Sequence, residues 1–424
     1  MRLLWITNIL FPDICKELST PSPVTGGWMK SAADAILELT SEIDLAVGAL
    51  YKGIDKLYIK KIGKITYYCL PYNENSYKYN TSMEKDWLKV KEDFKPEIVH
   101  IHGTEFAHGL AYIKACGNSN VVISIQGLIT GIARYSLGEI PENEIKKYRT
   151  FYDFYKGHIL QSISKMTQRG KIEKEYIERS KFIIGRTDWD FAHAKAINPL
   201  IQYFFCNETL RPSFYKYQWD FNLCQPYSIF VSQGHKPIKG LHKIISALPI
   251  VIREYPNTKL YISGNNFIKN KTIKEKLRLD TYANYIQHRI KALNLEKHIF
   301  FTGLLKEEEM VQQYLKSHIF VCPSIIENSP NSLGEAQILG VPCIASYVGG
   351  IPNMIEHKIS GLLYQSNEHE VLAQYICQLF NDKHFCNFIS KNEIRVALKR
   401  HDKIANAQMT LNTVSYTHLT LPTT

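Results

Sequence analysis

Long apolar runs are missing from this chain. Among its 424 residues no stretch reaches the length of a membrane span, and the first ten lack the charged-then-apolar layout of a secretory signal. Paired cysteines are missing too. Nine cysteines are scattered singly, with no Cys-x-x-Cys and an odd total, which argues against a zinc ribbon or a disulfide framework and fits a reducing cytoplasm. The 15 histidines include no His-Glu-x-x-His; His100 and His102 share one strand face, but no metal is expected. The Gly-x-Gly-x-x-Gly fingerprint is absent, which argues against NAD. No nucleic-acid-binding motif accompanies the net charge of +11, and the basic residues are dispersed, so nucleic acid is not expected as a partner.

The composition that remains, 45% hydrophobic and 21% charged, is that of a globular protein, and the length suffices for two domains with separate cores. Short apolar runs at 3–9, 43–49, 65–70, 98–102, 121–126, 182–185 and 203–206 read as buried strands. Helical patterns separate most of them, near 28–39, 83–94, 106–116, 142–178 and 189–196. A second series of strands follows at 228–232, 259–264, 298–303, 319–322, 342–346 and 361–364. The alternation predicts an α/β protein with two Rossmann-like, doubly wound sheets, whose ligands gather at the C-terminal strand ends in a central cleft. The expected layout is an N-terminal domain over 1–207, a linker over 208–227 and a C-terminal domain over 228–380. Helices over 381–412 are expected to cross back to the first domain, and 415–424 reads as a non-native tail.

Within the second series, Ile319-Phe-Val-Cys-Pro-Ser324 reads as a strand and Ala336-Gln-Ile-Leu-Gly340 as a helix stopped by glycine. Between them lies Glu327-Asn-Ser-Pro-Asn-Ser-Leu-Gly-Glu335, with one carboxylate on the loop and one in the early helix. A helix start offers unpaired N–H groups and a positive dipole end, which suit a diphosphate. Carboxylates accept hydrogen bonds from sugar hydroxyls. Diphosphate with hydroxyls describes a nucleotide sugar. The loop Val231-Ser-Gln-Gly-His-Lys-Pro-Ile-Lys-Gly240 follows the first strand of this series and adds a cation, Lys239, at its end.

Glu327 and Glu335, with seven residues between them, followed by Leu339-Gly-Val-Pro-Cys-Ile-Ala-Ser346 and Val348-Gly-Gly350, resemble the donor site of retaining glycosyltransferases of GT-B architecture, of the bacterial group 1 (family 4) type. The resemblance implies that Glu335 holds the nucleotide ribose and that Glu327 contacts the transferred sugar. It implies that Lys239 touches the leaving diphosphate, with Gln233, His235 or Lys236 standing where the family usually has an arginine. Asn328, Ser329, Asn331, Ser332 and Leu333 complete the expected donor loop. On the acceptor side the resemblance points to Gly26 and Gly27 of Thr25-Gly-Gly-Trp28. Strand ends add His102, Thr104, Glu105, Gln126 and Arg186 as cleft residues, with Gln126 where family members often carry histidine.

The implied function is transfer of a hexosyl unit from a nucleotide diphosphate sugar to a hydroxyl of a glycan or lipid-linked oligosaccharide. It proceeds with retention, without metal or cofactor, in cell-surface polysaccharide biosynthesis. The implied location is the cytoplasm, at the inner membrane face. The basic and aromatic segment Lys146-Lys-Tyr-Arg-Thr-Phe-Tyr-Asp-Phe-Tyr-Lys156, with Lys165, Arg169, Lys171 and Lys174, is a candidate for contact with anionic lipid. Two alternatives stand beside this reading: a nucleotide-sugar 2-epimerase of the same fold, and an inactive nucleotide-sugar-binding protein.

Overall fold

Strands that must lie in the middle of a parallel sheet are covered on both faces and therefore run nearly continuously apolar, and this is where the chain puts its Val, Ile, Leu and aromatic residues. A computed structural model describes residues 1–23, 27–72, 78–156, 159–269 and 272–419. It divides into two compact units. The first comprises Met1–Gly131, Met166–Leu210 and His401–Thr424; the second comprises Ile132–Lys165 and Arg211–Arg400.

The first unit holds strands β1 (Arg2–Thr7), β2 (Asp44–Tyr51), β3 (Tyr58–Ile62), β4 (Ile65–Pro71), β5 (Ile98–His102), β6 (Val121–Ser124), β7 (Phe182–Gly185) and β8 (Gln202–Phe205). They form one sheet in the order β3-β4-β2-β1-β5-β6-β7-β8. Every pairing is parallel except β3 with β4. Alternation along β1 sends Leu3 and Trp5 into one core with the helix Gly27–Leu39 and with Ala407 and Val414 of the helix Lys403–Leu419. Leu4 and Ile6 go into the opposite core with Trp87, Val90 and Leu110. Full burial of each such aliphatic side chain contributes about 1.5–3 kcal/mol. The C-terminal helix runs on past residue 415, where the Tyr416 ring meets those of Phe204 and Phe182 at 5.7 and 6.4 Å.

The second unit holds β9 (Gln225–Val231), β10 (Lys259–Ile262), β11 (Ile299–Phe301), β12 (Ser317–Cys322), β13 (Cys343–Ser346) and β14 (Leu362–Tyr364), ordered β11-β10-β9-β12-β13-β14 and parallel throughout. The order reverses between β9 and β12, so the loops that follow these two strands meet at a topological switch point. No helix among the described residues is long and apolar enough to cross a membrane.

Two local features differ from the expectation. The strand β3 is an antiparallel edge with Lys60 and Lys61 exposed, too polar for an apolar-run criterion to find. The helical stretch expected over 142–178 is broken into Glu142–Ile145, Lys146–Tyr148, Phe151–Lys156 and Ile159–Arg179. At the central break Asp153 accepts from Thr150 N at 2.7 Å and from Thr281 Oγ1 at 2.6 Å. The nearby Tyr148 ring packs on Tyr285 at 5.2 Å.

Candidate functional site

Two loops of the second unit are locked together at the switch point. The turn Pro237–Lys239 after β9 ends at Gly240 with φ of +70°, and Ile238 O accepts from Ile325 N at 2.8 Å. A Cβ at Gly240 would lie 1.7 Å from Pro323 O, so only glycine admits this approach. Gly349, with φ of +51°, comes equally close to the other side: its Cβ would lie 2.0 Å from Glu327 O, which accepts from Gly350 N at 3.0 Å. These backbone constraints bring Lys239 and Glu327 together although 88 positions separate them. Lys239 Nζ donates to Glu327 Oε1 at 2.6 Å, and Ser324 Oγ donates to the same oxygen at 2.9 Å. Burial opposes the Lys239 charge, but the Glu327 carboxylate outweighs it and holds the ammonium above its ordinary range.

The loop after Glu327 continues into the helix Asn331–Leu339, entered from Pro330 without a side-chain cap. Asn328 is buried, and Ser329 Oγ accepts from Arg400 Nη2 at 3.1 Å. Asn331 Oδ1 is buried with no hydrogen-bond partner among the described residues, Ser332 O accepts from Tyr314 Oη at 2.8 Å, and Leu333 is fully buried. Glu335 is 7% exposed, and its Oε1 accepts from both Nε and Nη2 of Arg211 at 2.9 and 2.7 Å. Burial pushes its carboxyl up to about 7 even with the guanidinium drawing it down. Arg211 was not singled out in the sequence. It stands in the stretch that reads as a linker, and its only signal was a fixed cation there. Gln233, His235 and Lys236 lie exposed on the loop before Pro237.

In the first unit, Gly26 lies outside the described residues, and Gly27 opens the helix Gly27–Leu39. His100 and His102 do share a strand face, with ring centroids 4.0 Å apart. His102 is buried with its ring 4.3 Å from that of Trp5 and 6.2 Å from that of Trp28. Burial, then His100 and Arg186, hold it well below the ordinary imidazole range, so it is neutral at physiological pH. The two histidines line a small cavity with Trp5, Gln126, Arg186 and Asn207. Arg186 pairs with Glu208 at 2.6 Å and donates from Nη2 to Ile125 O and Gln126 O at 2.6 and 3.0 Å. Thr104 Oγ1 donates to the buried Glu173 at 2.9 Å, and Glu173 also accepts from the N–H groups of Ile129 and Thr130. The Glu105 carboxylate accepts from Asn8 Nδ2 at 2.9 Å and Gly127 N at 2.7 Å. The structure thus engages Thr104 and Glu105 in bonds that tie together the ends of β1, β5 and β6. Among the described residues no group of three or more His, Cys, Asp or Glu is arranged to hold a metal.

The fold is GT-B, the two-sheet architecture of many glycosyltransferases. Sucrose-phosphate synthase from Thermosynechococcus elongatus superposes with a TM-score of 0.70 at 14% identity, covering 98% of each chain. Anabaena Alr3699/HepE, described in complex with UDP, superposes with a TM-score of 0.64 at 15% identity, covering 98% of this chain and all of that one. Residues 214–396, which contain Lys239, Glu327 and Glu335, match the family "Glycosyl transferases group 1". YtcC of Bacillus subtilis, named as a glycosyltransferase, is 27% identical over 186 residues, 43% of this chain and 44% of its own length. The chain therefore aligns with less than half of that curated relative.

Proposed function

We propose that the protein transfers a hexosyl unit from a nucleotide diphosphate sugar to a hydroxyl of a glycan or lipid-linked oligosaccharide, with retention at the anomeric carbon. The observation that carries the reading is the placement of Lys239, Glu327 and Glu335 around one switch point, beside the start of the helix Asn331–Leu339. In this reading the bond between the anomeric carbon and the diphosphate oxygen breaks while the acceptor oxygen bonds to the same face. The acceptor proton passes to the departing phosphate oxygen. Lys239 and the N–H groups at the helix start oppose the charge growing on that diphosphate, an electrostatic role commonly worth several kcal/mol. Glu327, already bonded to Lys239, orients both the cation and the sugar. Glu335 accepts from the ribose hydroxyls.

Support for a nucleotide-sugar donor also comes from Alr3699/HepE, which is described with UDP and with UDP-glucose. The acceptor side of the proposal extends to peripheral contact with an anionic membrane, for which the net charge of +11 is the supporting feature. The test is incubation with UDP-, GDP- and ADP-hexoses, with and without lipid-linked glycan extracts, followed by mass spectrometry. The expected result is acceptor carrying one more hexosyl unit and an equal amount of nucleoside diphosphate. A new hexose isomer formed from donor alone would instead establish the epimerase alternative.

A further inference from the structure

We propose that Arg211 is a positioning residue for the donor: it fixes the Glu335 carboxylate through one oxygen and leaves the other for the ribose diol. The inference rests on the donor-site reading above and assigns a role to a residue outside the motif. The guanidinium donates from both Nε and Nη2 to the same Glu335 oxygen, Oε1, at 2.9 and 2.7 Å. Among the described residues no group bonds Oε2, and this oxygen is not sealed from solvent. A ribose presents two adjacent O–H donors, which match a carboxylate oxygen held in one orientation.

Arg211 is itself held. Its guanidinium lies 4.7 Å over the Phe214 ring, and Phe214 is fully buried against Tyr314 at 5.9 Å. The short turn Pro212–Tyr215 is anchored where Ser213 N donates to Glu307 Oε1 at 3.0 Å and Ser213 Oγ donates to Glu308. From the same helix, Glu307–Lys316, Tyr314 Oη donates to Ser332 O at the start of the Glu335 helix at 2.8 Å. A closed circuit of contacts thus links the linker turn, the helix Glu307–Lys316 and the helix bearing Glu335.

The charges around Glu335 make Arg211 decisive. Glu307 faces it from the helix Glu307–Lys316 and opposes its ionisation, and Tyr314 lies on the same side with its own hydroxyl pushed well above the usual range. From the helix Lys383–Arg400, which packs on the helix Asn331–Leu339, Glu393 accepts from Cys343 N and Arg400 donates to Ser329 and Asn353. Arg211 is the cation bonded to Glu335, and a guanidinium stays charged at every accessible pH. Without it, burial and Glu307 act unopposed, and the acid form, which accepts poorly, prevails at neutral pH.

The experiment is calorimetric titration with UDP-glucose, GDP-mannose and ADP-glucose from pH 6 to 9, using the full chain and its R211Q, R211K and E335A variants. Nucleotide sugars serve as probes because their diphosphate does not titrate in this range. The expected wild-type affinity for the bound nucleotide class rises with pH through about 7, following Glu335 ionisation. R211Q is expected to bind about ten- to a hundredfold more weakly at pH 7, the loss of one charge-assisted contact, and to recover as pH rises. R211K is expected in between, and E335A weak and independent of pH. If R211Q matches the wild type in affinity and profile while E335A is weak, the Arg211 role is wrong and the donor site stands. If folded E335A binds like the wild type, or no nucleotide class binds any form, the donor-site reading falls and this role with it. Should R211Q fail to fold, a wild-type-like profile in R211K overturns the proposal.

Discussion

Replacing Gly240 by alanine tests whether the two switch-point loops are locked as described. Two separable costs arise. Gly240 holds φ of +70°, which for an L-residue costs about 1–2 kcal/mol. Its new Cβ would also lie 1.7 Å from Pro323 O and 2.6 Å from Pro323 C. Both atoms are backbone, so a loop must move, and forced overpacking of this kind costs about 1–3 kcal/mol or more. Gly303 supplies the control: its φ is +80°, yet nothing lies within 4 Å of its Cβ position. Gly303→Ala should therefore show the conformational cost alone, and Gly240→Ala both. At about 2–4 °C per kcal/mol for a unit of this size, Gly303→Ala should lower Tm by about 2–8 °C and Gly240→Ala by about 4–20 °C. The difference between the two, read by calorimetry or near-ultraviolet dichroism, isolates the close approach. Equal melting temperatures for the two variants would refute the locked-loop geometry, and with it the reason Lys239 meets Glu327.

Two further expectations concern the charges. Glu335 has its carboxyl raised from 4.5 to about 7 in the fold, chiefly by burial, so the folded state binds that proton more tightly than the unfolded state. Its contribution to stability is thus intact below about 4.5 and is lost as pH rises to about 7. Relative to Glu335→Gln, the wild type should lose roughly 3 kcal/mol between pH 4 and pH 8 in urea titrations; a constant difference would contradict the assignment. Lys239→Met should lower turnover, followed as nucleoside diphosphate release, by about 10²–10³-fold, the usual cost of removing one group that stabilises transition-state charge. Turnover within threefold of the wild type would remove Lys239 from the mechanism.

Much of this architecture is legible along the chain, and the limits have physical causes. Buried parallel strands such as Ile98–His102 and Phe182–Gly185 announce themselves because both faces need apolar side chains. The edge strand Tyr58–Ile62 does not, since its lysines face water. The break near Thr150 was invisible because Asp153 is held partly by Thr281, 128 positions away. Glu327, Glu335 and Lys239 stand out through their strand-loop-helix setting and the motif they resemble, whereas Arg211, the partner of Glu335, does not. Arg211 reaches Glu335 across 124 positions, and nothing local to either residue encodes that pairing. The same holds for Thr104 and Glu105, whose strand-end position suggests a ligand while Glu173, Asn8 and Gly127 engage their polar atoms in the folded unit. Sequence pattern reports burial and local geometry; long-range charge pairing appears only once the loops are closed.

The central claim, a nucleotide-sugar donor site at the β9–β12 switch point, is tested most directly by thermal melting with UDP-, GDP- and ADP-sugars on the wild type and on Glu335→Ala. Ligand at 100 times its Kd should stabilise the fold by about 2.7 kcal/mol. The predicted result is a rise in Tm with one nucleotide class that Glu335→Ala loses or greatly weakens. An unchanged Tm with every nucleotide sugar, or a rise equally large in Glu335→Ala, would contradict it.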